Sequence, residues 1–203
     1  MSHFDNAART WDENPIHMER SQAIAAKIVK RLPLNRNMKA LEYGAGTGIL
    51  SFLLSDKLGE IVMMDSSAEM VKVMEEKVLQ RNATNLLPGF FNLEKEISSV
   101  SFNLIFNQMV LHHIADIESI FKTFYNMLLP GGFLAIADLY SEDGSFHDYG
   151  FDGHTGFDPD QLKVLLLEVG FKNIDFEECY TVKRKLEGDT IKSFPIFLIT
   201  ASK

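Results

Sequence analysis

Two kinds of apolar spacing alternate along the chain. Between Pro15 and Lys30 the positions Ile16, Ala23, Ile24 and Ile28 share one face of a helix that stops before Pro33. Met38-Lys-Ala-Leu-Glu-Tyr43 then reads as a strand and runs straight into Gly44-Ala-Gly-Thr-Gly48. Ile49 to Leu58 is a short apolar helix, and Ile61-Val-Met-Met64 a buried strand ending at Asp65. Ser66 or Ser67 caps the next helix, which continues to about Arg81. Asn85 to Pro88 reads as a short strand and Phe102 to Phe106 as a stronger one. Ala115 to Leu129 has helical periodicity, with Asp116 near its start. Pro130-Gly-Gly132 turns the chain into the apolar strand Phe133-Leu-Ala-Ile-Ala137. A helix opens at Asp158-Pro159 and closes at Gly170, with Pro near its first position and Gly just past its end. Lys172 to Val182 and Phe194 to Ile199 read as paired terminal strands joined by a charged turn.

Apolar strands alternating with helices predict an α/β fold, a three-layer sandwich around a mostly parallel sheet covered on both faces. Such a sheet binds ligands beyond the carboxyl ends of its strands, where the strand order switches. The glycine turn, Asp65 and Asn107-Gln-Met-Val-Leu-His-His113 all gather at those ends. Residues 138–157 form an unusually long connection, rich in Gly, Asp and His, at the same edge of the sheet; this is the place for a lid or specificity element. Residues 1–35 read as an N-terminal cap and helix packed on a core domain of residues 36–203.

A chain of 203 residues is long enough for one well-buried α/β domain and short for two. Its 20 basic and 28 acidic residues give a formal net charge of -8, so nucleic acid is an unfavourable partner without a strong local basic patch. Lys183-Arg184-Lys185 is the best such patch, and with Glu187 and Asp189 following it reads as a solvated turn. The single cysteine, Cys179, excludes an intrachain disulfide and reads as an inert core thiol. A polar N-terminus carrying Asp5, Asp12 and Glu13 does not suit a signal peptide, and the apolar runs are strand-sized. A cytoplasmic protein without membrane insertion is the expectation. The histidines His112, His113, His147 and His154 contain no compact metal-binding spacing, so no metal is expected.

Gly44, Gly46 and Gly48 directly follow a strand, where absent side chains allow positive φ and close backbone approach to a ligand. Asp65 ends the next strand, 19 residues after Gly46, the spacing of a carboxylate that accepts from ribose hydroxyls. Together these predict a nucleoside site. A nicotinamide dinucleotide fits less well, because its fingerprint places the last glycine one position later. Glu42, two residues before the turn, would oppose a pyrophosphate but suits a cationic amino group, directly or through water.

Leu41-Glu-Tyr-Gly-Ala-Gly-Thr-Gly-Ile-Leu50 resembles motif I of class I S-adenosylmethionine-dependent methyltransferases, and Asp65 matches the acidic position after their second strand. Phe102-Asn-Leu-Ile-Phe-Asn-Gln-Met-Val-Leu-His-His-Ile114 resembles the fourth-strand motif of the ubiquinone/menaquinone-type and related small-molecule enzymes. Leu128-Leu-Pro-Gly-Gly-Phe-Leu-Ala-Ile-Ala-Asp138 resembles the approach to strand five. The resemblance spans about residues 36–203. It implies a Rossmann-like, seven-stranded sheet with an antiparallel last strand and S-adenosyl-L-methionine as cofactor. The implied cofactor-binding set is Glu42, Gly44, Ala45, Gly46, Gly48, Asp65, Ser66, Phe90 and Asn107. Phe90 stands where family members often carry an acidic residue for the adenine amino group, so adenine is expected to meet Phe90 or Phe91 by apolar contact.

The partner implied is a small-molecule methyl acceptor, and a homodimer is compatible with it. Alignment and exclusion of water supply much of such catalysis, and a base is needed only where the acceptor must lose a proton. His112 and His113 are the candidates beside the fourth strand; His154, with His147 as a weaker candidate, is the one in the lid. Phe146, Tyr149, Phe151 and Phe157 offer the lid an apolar lining, and Trp11 is a candidate contact from the N-terminal segment. Methylation of RNA or protein, or nucleoside binding without turnover, are the alternatives. The acidic charge and the lack of an Asn-Pro-Pro-Tyr-type motif after strand four weigh against the first, and only an assay of turnover separates the second.

Overall fold

The computed structural model describes residues 3–92, 100–147 and 150–203. Tyr149, expected in the lid lining, lies outside the described residues. Seven strands form one sheet: β1 (Lys39–Tyr43), β2 (Glu60–Asp65), β3 (Leu86–Phe90), β4 (Phe102–Gln108), β5 (Leu128–Leu139), β6 (Lys172–Lys185) and β7 (Ile191–Ser202). Their spatial order is β3-β2-β1-β4-β5-β7-β6. All neighbours are parallel except at β7, which pairs antiparallel with both β5 and β6. This is the α/β sandwich that the alternating pattern predicts, with the Rossmann-like order and antiparallel last strand that the family resemblance implies.

The helices are α1 (His3–Ala7), α2 (Pro15–Arg31), α3 (Ile49–Leu54), α4 (Ala68–Arg81), α5 (Ile117–Met127) and α6 (Pro159–Val169). Because successive strand residues point to opposite faces, β1 sends Ala40 into a core shared with Ile24 and Ile28 of α2, Leu50 and Leu54 of α3 and Met74 of α4. Its next residue, Leu41, enters the opposite core with Phe121 and Phe124 of α5 and Leu162 and Leu166 of α6. Burial on both faces explains why the strands read as continuous apolar runs.

Local chemistry sets the element ends. Asn14, Ser67, Asp116 and Asp158 accept backbone N–H bonds at the starts of α2, α4, α5 and α6, and of the two candidate caps for α4 it is Ser67 that serves. Gly170 closes α6 at φ 114°. α3 is shorter than the periodicity suggests: Ser55 turns its hydroxyl back to the Phe52 carbonyl, and the chain leaves the helix through polar residues. β3 reaches Phe90, past Pro88, which an edge strand tolerates. β6 continues to Lys185, so Lys183-Arg184-Lys185 lies in a strand and not, as expected, in the turn.

The order switches at β1: its chain continuation, β2, lies on one side and β4 on the other. The carboxyl ends of β1 and β4 therefore open side by side, and the candidate site lies there.

Candidate functional site

A cavity of about 500 Å³ occupies the crevice at the ends of β1 and β4, within the usual size for a small-ligand site. The turn after β1 forms one end of it. Gly44, Gly46 and Gly48 have φ of +70°, +57° and +80°, so the turn requires residues free of a side chain. Their surroundings differ. A Cβ at Gly44 would stand 2.4 Å from Val110 Cγ2, whereas one at Gly46 would meet no atom within 4 Å. Gly44 is thus fixed by packing, and Gly46 borders open space in the cavity.

Asp65 closes this end. One carboxylate oxygen accepts from Gly46 N at 2.7 Å and the other from Ser67 N at 2.8 Å. Burial raises its pKa against the pull of these N–H donors. Gly44, Ala45, Gly46, Asp65 and Ser66 all line the cavity. Gly48 instead starts α3, packed against Met63 and Met74.

Three other expected cofactor contacts lie outside the cavity lining. Glu42 is fully buried and accepts from both the backbone N–H and the hydroxyl of Ser51 in α3, while its Oε1 has no partner among the described residues. Burial pushes its carboxyl up to about 8, so it is mostly protonated at neutral pH. Asn107 is fully buried, and neither of its amide atoms has a partner among the described residues. Phe90 stands at the end of β3 and is 60% exposed.

Residues following β4 and β5 form the other end. His112 and His113 lie in a 3-10 turn, Leu111–His113, with ring centroids 4.2 Å apart, and both line the cavity. His112 donates Nδ1–H to Asp138 Oδ1 at 2.6 Å, and the same carboxylate accepts from His112 N and Leu139 N. From the connection after β5, Phe146 and His147 line the wall, and His147 stacks on Phe151 at 3.7 Å between centroids. His154 is not among the lining residues. Its Nε2–H donates to the Ile114 carbonyl at 3.0 Å and its backbone N–H to the His112 carbonyl, which ties this connection to the 3-10 turn.

The N-terminal segment covers the site. Phe4, Trp11 and His17 line it, Trp11 stacking on His17 at 4.1 Å between centroids. Asp12 accepts from Thr47 Oγ1 and pairs with Lys77 at 2.6 Å, and Asp5 accepts from Ser67 Oγ at 2.6 Å. These bonds hold the segment across the glycine turn and the start of α4.

Sequence reasoning missed two lining cations, Arg20 from α2 and Arg184 from β6, and the buried partner Asp138. Each left a trace. Ile16, Arg20, Ile24 and Ile28 are four residues apart, so Arg20 interrupts an apolar stripe. Arg184 shares the strand face of Val182, and both line the cavity. Asp138 ends a wholly apolar strand. Cys179 is half-buried, and burial pushes its thiol up to about 12, so it is no nucleophile at neutral pH. Among the described residues no group of His, Cys, Asp and Glu side chains is arranged to hold a metal ion, and no helix is long and apolar enough to cross a membrane.

Known proteins share parts of this sequence and its fold. An uncharacterized methyltransferase of Schizosaccharomyces pombe is 28% identical over 155 residues, covering 68% of this chain and 55% of the relative. Phosphoethanolamine N-methyltransferase 1 of Triticum aestivum is 25% identical over 183 residues, covering 85% and 36%. The chain thus spans about half the length of the first relative and about a third of the second. Among solved structures, a chain of the complex between the Haloferax volcanii Trm112 methyltransferase activator and the putative methyltransferase superposes with a TM-score of 0.81, at 16% identity, covering 100% of this chain and 98% of that one. A SAM-dependent methyltransferase from Aquifex aeolicus gives 0.71 at 19% identity, covering 98% and 97%. The fold is that of the class I S-adenosylmethionine-dependent methyltransferases. The sequence profile of the methyltransferase domain matches residues 17–175, more than half of the chain, and the chain belongs to that family.

Proposed function

We propose that the chain transfers a methyl group from S-adenosylmethionine to a small-molecule acceptor. The observation that carries this reading is the crevice itself: a glycine turn and a carboxylate line one end of the cavity, and His112, held from behind by the buried Asp138, lines the other. The glycine end fits the cofactor. Asp65 is held by backbone N–H groups in a position to meet ribose hydroxyls, Gly46 borders open space, and the orphaned Glu42 Oε1 lies behind the turn. In this reading Glu42 acts chiefly by holding Ser51 and the start of α3 under the turn, Asn107 supports the end of β4, and Phe90 or Phe91 borders adenine. The bound cofactor supplies a methyl group on a positively charged sulfur that leaves readily.

The chain's own residues align the acceptor and take its proton. Asp138 fixes the His112 tautomer with hydrogen on Nδ1 and leaves the lone pair on Nε2. His112 is then the base for an acceptor that must lose a proton, and Asp138 stabilises the imidazolium that results. His113 and His147 contribute to the acceptor wall, and His154 acts by holding the lid. The lid at 138–157 and the N-terminal cap exclude water from the transfer.

Relatives named for phosphoethanolamine, malonyl-[acyl-carrier protein], demethylmenaquinone and arsenite are too varied to select the acceptor, and the likeness to menaquinone-type enzymes is one among them. The test is calorimetry with S-adenosylhomocysteine and NAD, followed by incubation of a metabolite extract with cofactor carrying a labelled methyl group. Micromolar binding of S-adenosylhomocysteine and a labelled small molecule are expected. Absence of that binding, or label found only in macromolecules, would overturn the reading.

A further inference from the structure

The charges of the cavity are segregated. Asp65 sits at the glycine end. The opposite end, bounded by Gln108, the 3-10 turn and the lid, has two arginines, Arg20 and Arg184. In a chain of net charge -8 a local concentration of positive charge needs a reason.

Arg20 is the informative one. It is 7% exposed, yet none of its N–H donors meets a protein acceptor among the described residues, and its Nε is both fully enclosed and unpartnered. Burial lowers its pKa only to about 10, so it stays charged at neutral pH. An arginine carries five donors in a planar fork, and burying them unmatched is costly. The negative charge nearest in effect is Asp138, whose carboxylate already accepts from His112 N, His112 Nδ1 and Leu139 N. Tyr180 and Cys179 also face Arg20, and burial raises the pKa of both, which keeps them neutral at neutral pH. His17, whose Nδ1–H is committed to the Trp11 carbonyl at 2.8 Å, is held neutral by burial and by Arg20 itself. Among the described residues no neighbour therefore completes the guanidinium.

The helix that carries this side chain is anchored to the sheet. The hydroxyl of Ser21, the next residue, lies 2.8 Å from the His17 carbonyl oxygen and 3.0 Å from Gln108 Oε1 and shares its one hydrogen between them, which ties the helix to the end of β4. Arg184 enters from the other side with its guanidinium over the Phe146 ring, 5.4 Å from the centroid. A buried guanidinium in a cavity that a second arginine also lines suits a planar or tetrahedral oxyanion.

We infer that the methyl acceptor carries an anionic group, a carboxylate or a phosphate ester, which the Arg20 guanidinium binds at the end of the cavity remote from Asp65. This rests on the methyltransferase reading and adds the acceptor's chemical class. The bound anion places the acceptor's nucleophile between His112 and the cofactor end, so Arg20 is a specificity-determining residue.

The test is ligand-observed NMR on protein loaded with S-adenosylhomocysteine. The probes are small carboxylic acids and phosphate monoesters, each beside its neutral amide or alcohol. Anions should bind, and their neutral matches should bind about tenfold or more weakly, as expected on losing a charge-assisted hydrogen bond. Comparing the two anionic arms identifies the preferred oxyanion. Arg20→Met should lose the same factor while its affinity for S-adenosylhomocysteine stays within about twofold. If that variant does not fold, the wild-type Arg20 Nε–H resonance, assigned by its absence in Arg20→Lys, decides. It should shift on adding anions and not on adding neutral matches, with or without S-adenosylhomocysteine. Neutral probes binding as well as anions, anion affinity unchanged in a folded Arg20→Met, or an Nε–H signal unmoved by any anion would each overturn the inference. Loss of S-adenosylhomocysteine binding in the wild type would instead overturn the cofactor assignment, which the anion titration of cofactor-free protein does not need.

Discussion

His112 and Asp138 lie 26 residues apart in sequence and meet at 2.6 Å, Nδ1 to Oδ1, with Asp138 wholly buried and His112 nearly so at the cavity wall. The arrangement orients the imidazole and fixes its tautomer. Asp138→Asn keeps the shape but offers an N–H or a weaker acceptor to Nδ1. Nitrogen NMR should find hydrogen on Nδ1 of His112 in the wild type and a shift toward Nε2–H in the variant. For an acceptor that must be deprotonated, kcat should fall by about 100-fold or more while S-adenosylhomocysteine binding is kept. An unchanged tautomer with unchanged turnover would remove the pair from the mechanism.

The glycine turn separates two effects at neighbouring positions. Gly44→Ala and Gly46→Ala each pay for positive φ, on the order of 1–3 kcal/mol. Only Gly44→Ala also drives a methyl into Val110. Denaturant melts should therefore show the larger stability loss at Gly44. Calorimetry should show Gly46→Ala, which projects into the cavity, weakening S-adenosylhomocysteine binding by about tenfold or more. Full affinity in a folded Gly46→Ala would mean that the turn is architecture alone.

Asp65→Ala removes the acceptor proposed for the ribose hydroxyls and should weaken S-adenosylhomocysteine binding by about 1.5–3 kcal/mol. Since Asp65 also accepts from Gly46 N and Ser67 N, some loosening of the turn belongs to the effect. Asp65→Asn, which keeps one acceptor oxygen, should lie between wild type and Ala in the same titration.

These contacts differ in how far they could be read from the chain. Gly44, Gly46 and Asp65 follow one another through a strand, turn, helix and strand whose order alone implies a shared edge. Asp138 was visible only as the end of an apolar strand, because its partner depends on how the 3-10 turn after β4 folds back. Arg20 stands in the apolar stripe of α2, but the stripe does not say whether the guanidinium escapes to solvent or enters a cavity. The lid was harder still. Its histidines share a loop without periodicity, so nothing local distinguishes His147, on the wall, from His154, behind it.

Glu42 makes stability depend on pH. Its carboxyl titrates near 4.5 in the unfolded chain and about 8 in the fold, so the folded state holds an extra proton between these values. Stability from this group is fully present below the unfolded value and is lost as pH rises through the folded one. Glu42→Gln mimics the protonated carboxyl and should remove this component. Melts across that range should show a wild-type decline toward pH 8 that is shallower in Glu42→Gln. Parallel profiles would show that Glu42 is ionised in the fold.

The two lid histidines should separate stability from recognition. His154→Ala removes the Nε2–H bond to the Ile114 carbonyl and leaves that acceptor to water, at a cost of about 1 kcal/mol. For a chain of this size that corresponds to a Tm lower by about 2–4 °C. Since Ile114 closes the 3-10 turn carrying His112, turnover should also fall, with acceptor KM changing less than kcat. His147→Ala removes a ring that stacks on Phe151 and faces the cavity, so acceptor KM should rise with little change in Tm. Neither change should alter S-adenosylhomocysteine affinity, because the glycine end lies across the cavity. If His154→Ala raises KM without lowering Tm, while His147→Ala lowers Tm without touching KM, the assignments must be exchanged, and the lid must close over the acceptor in an arrangement different from this one.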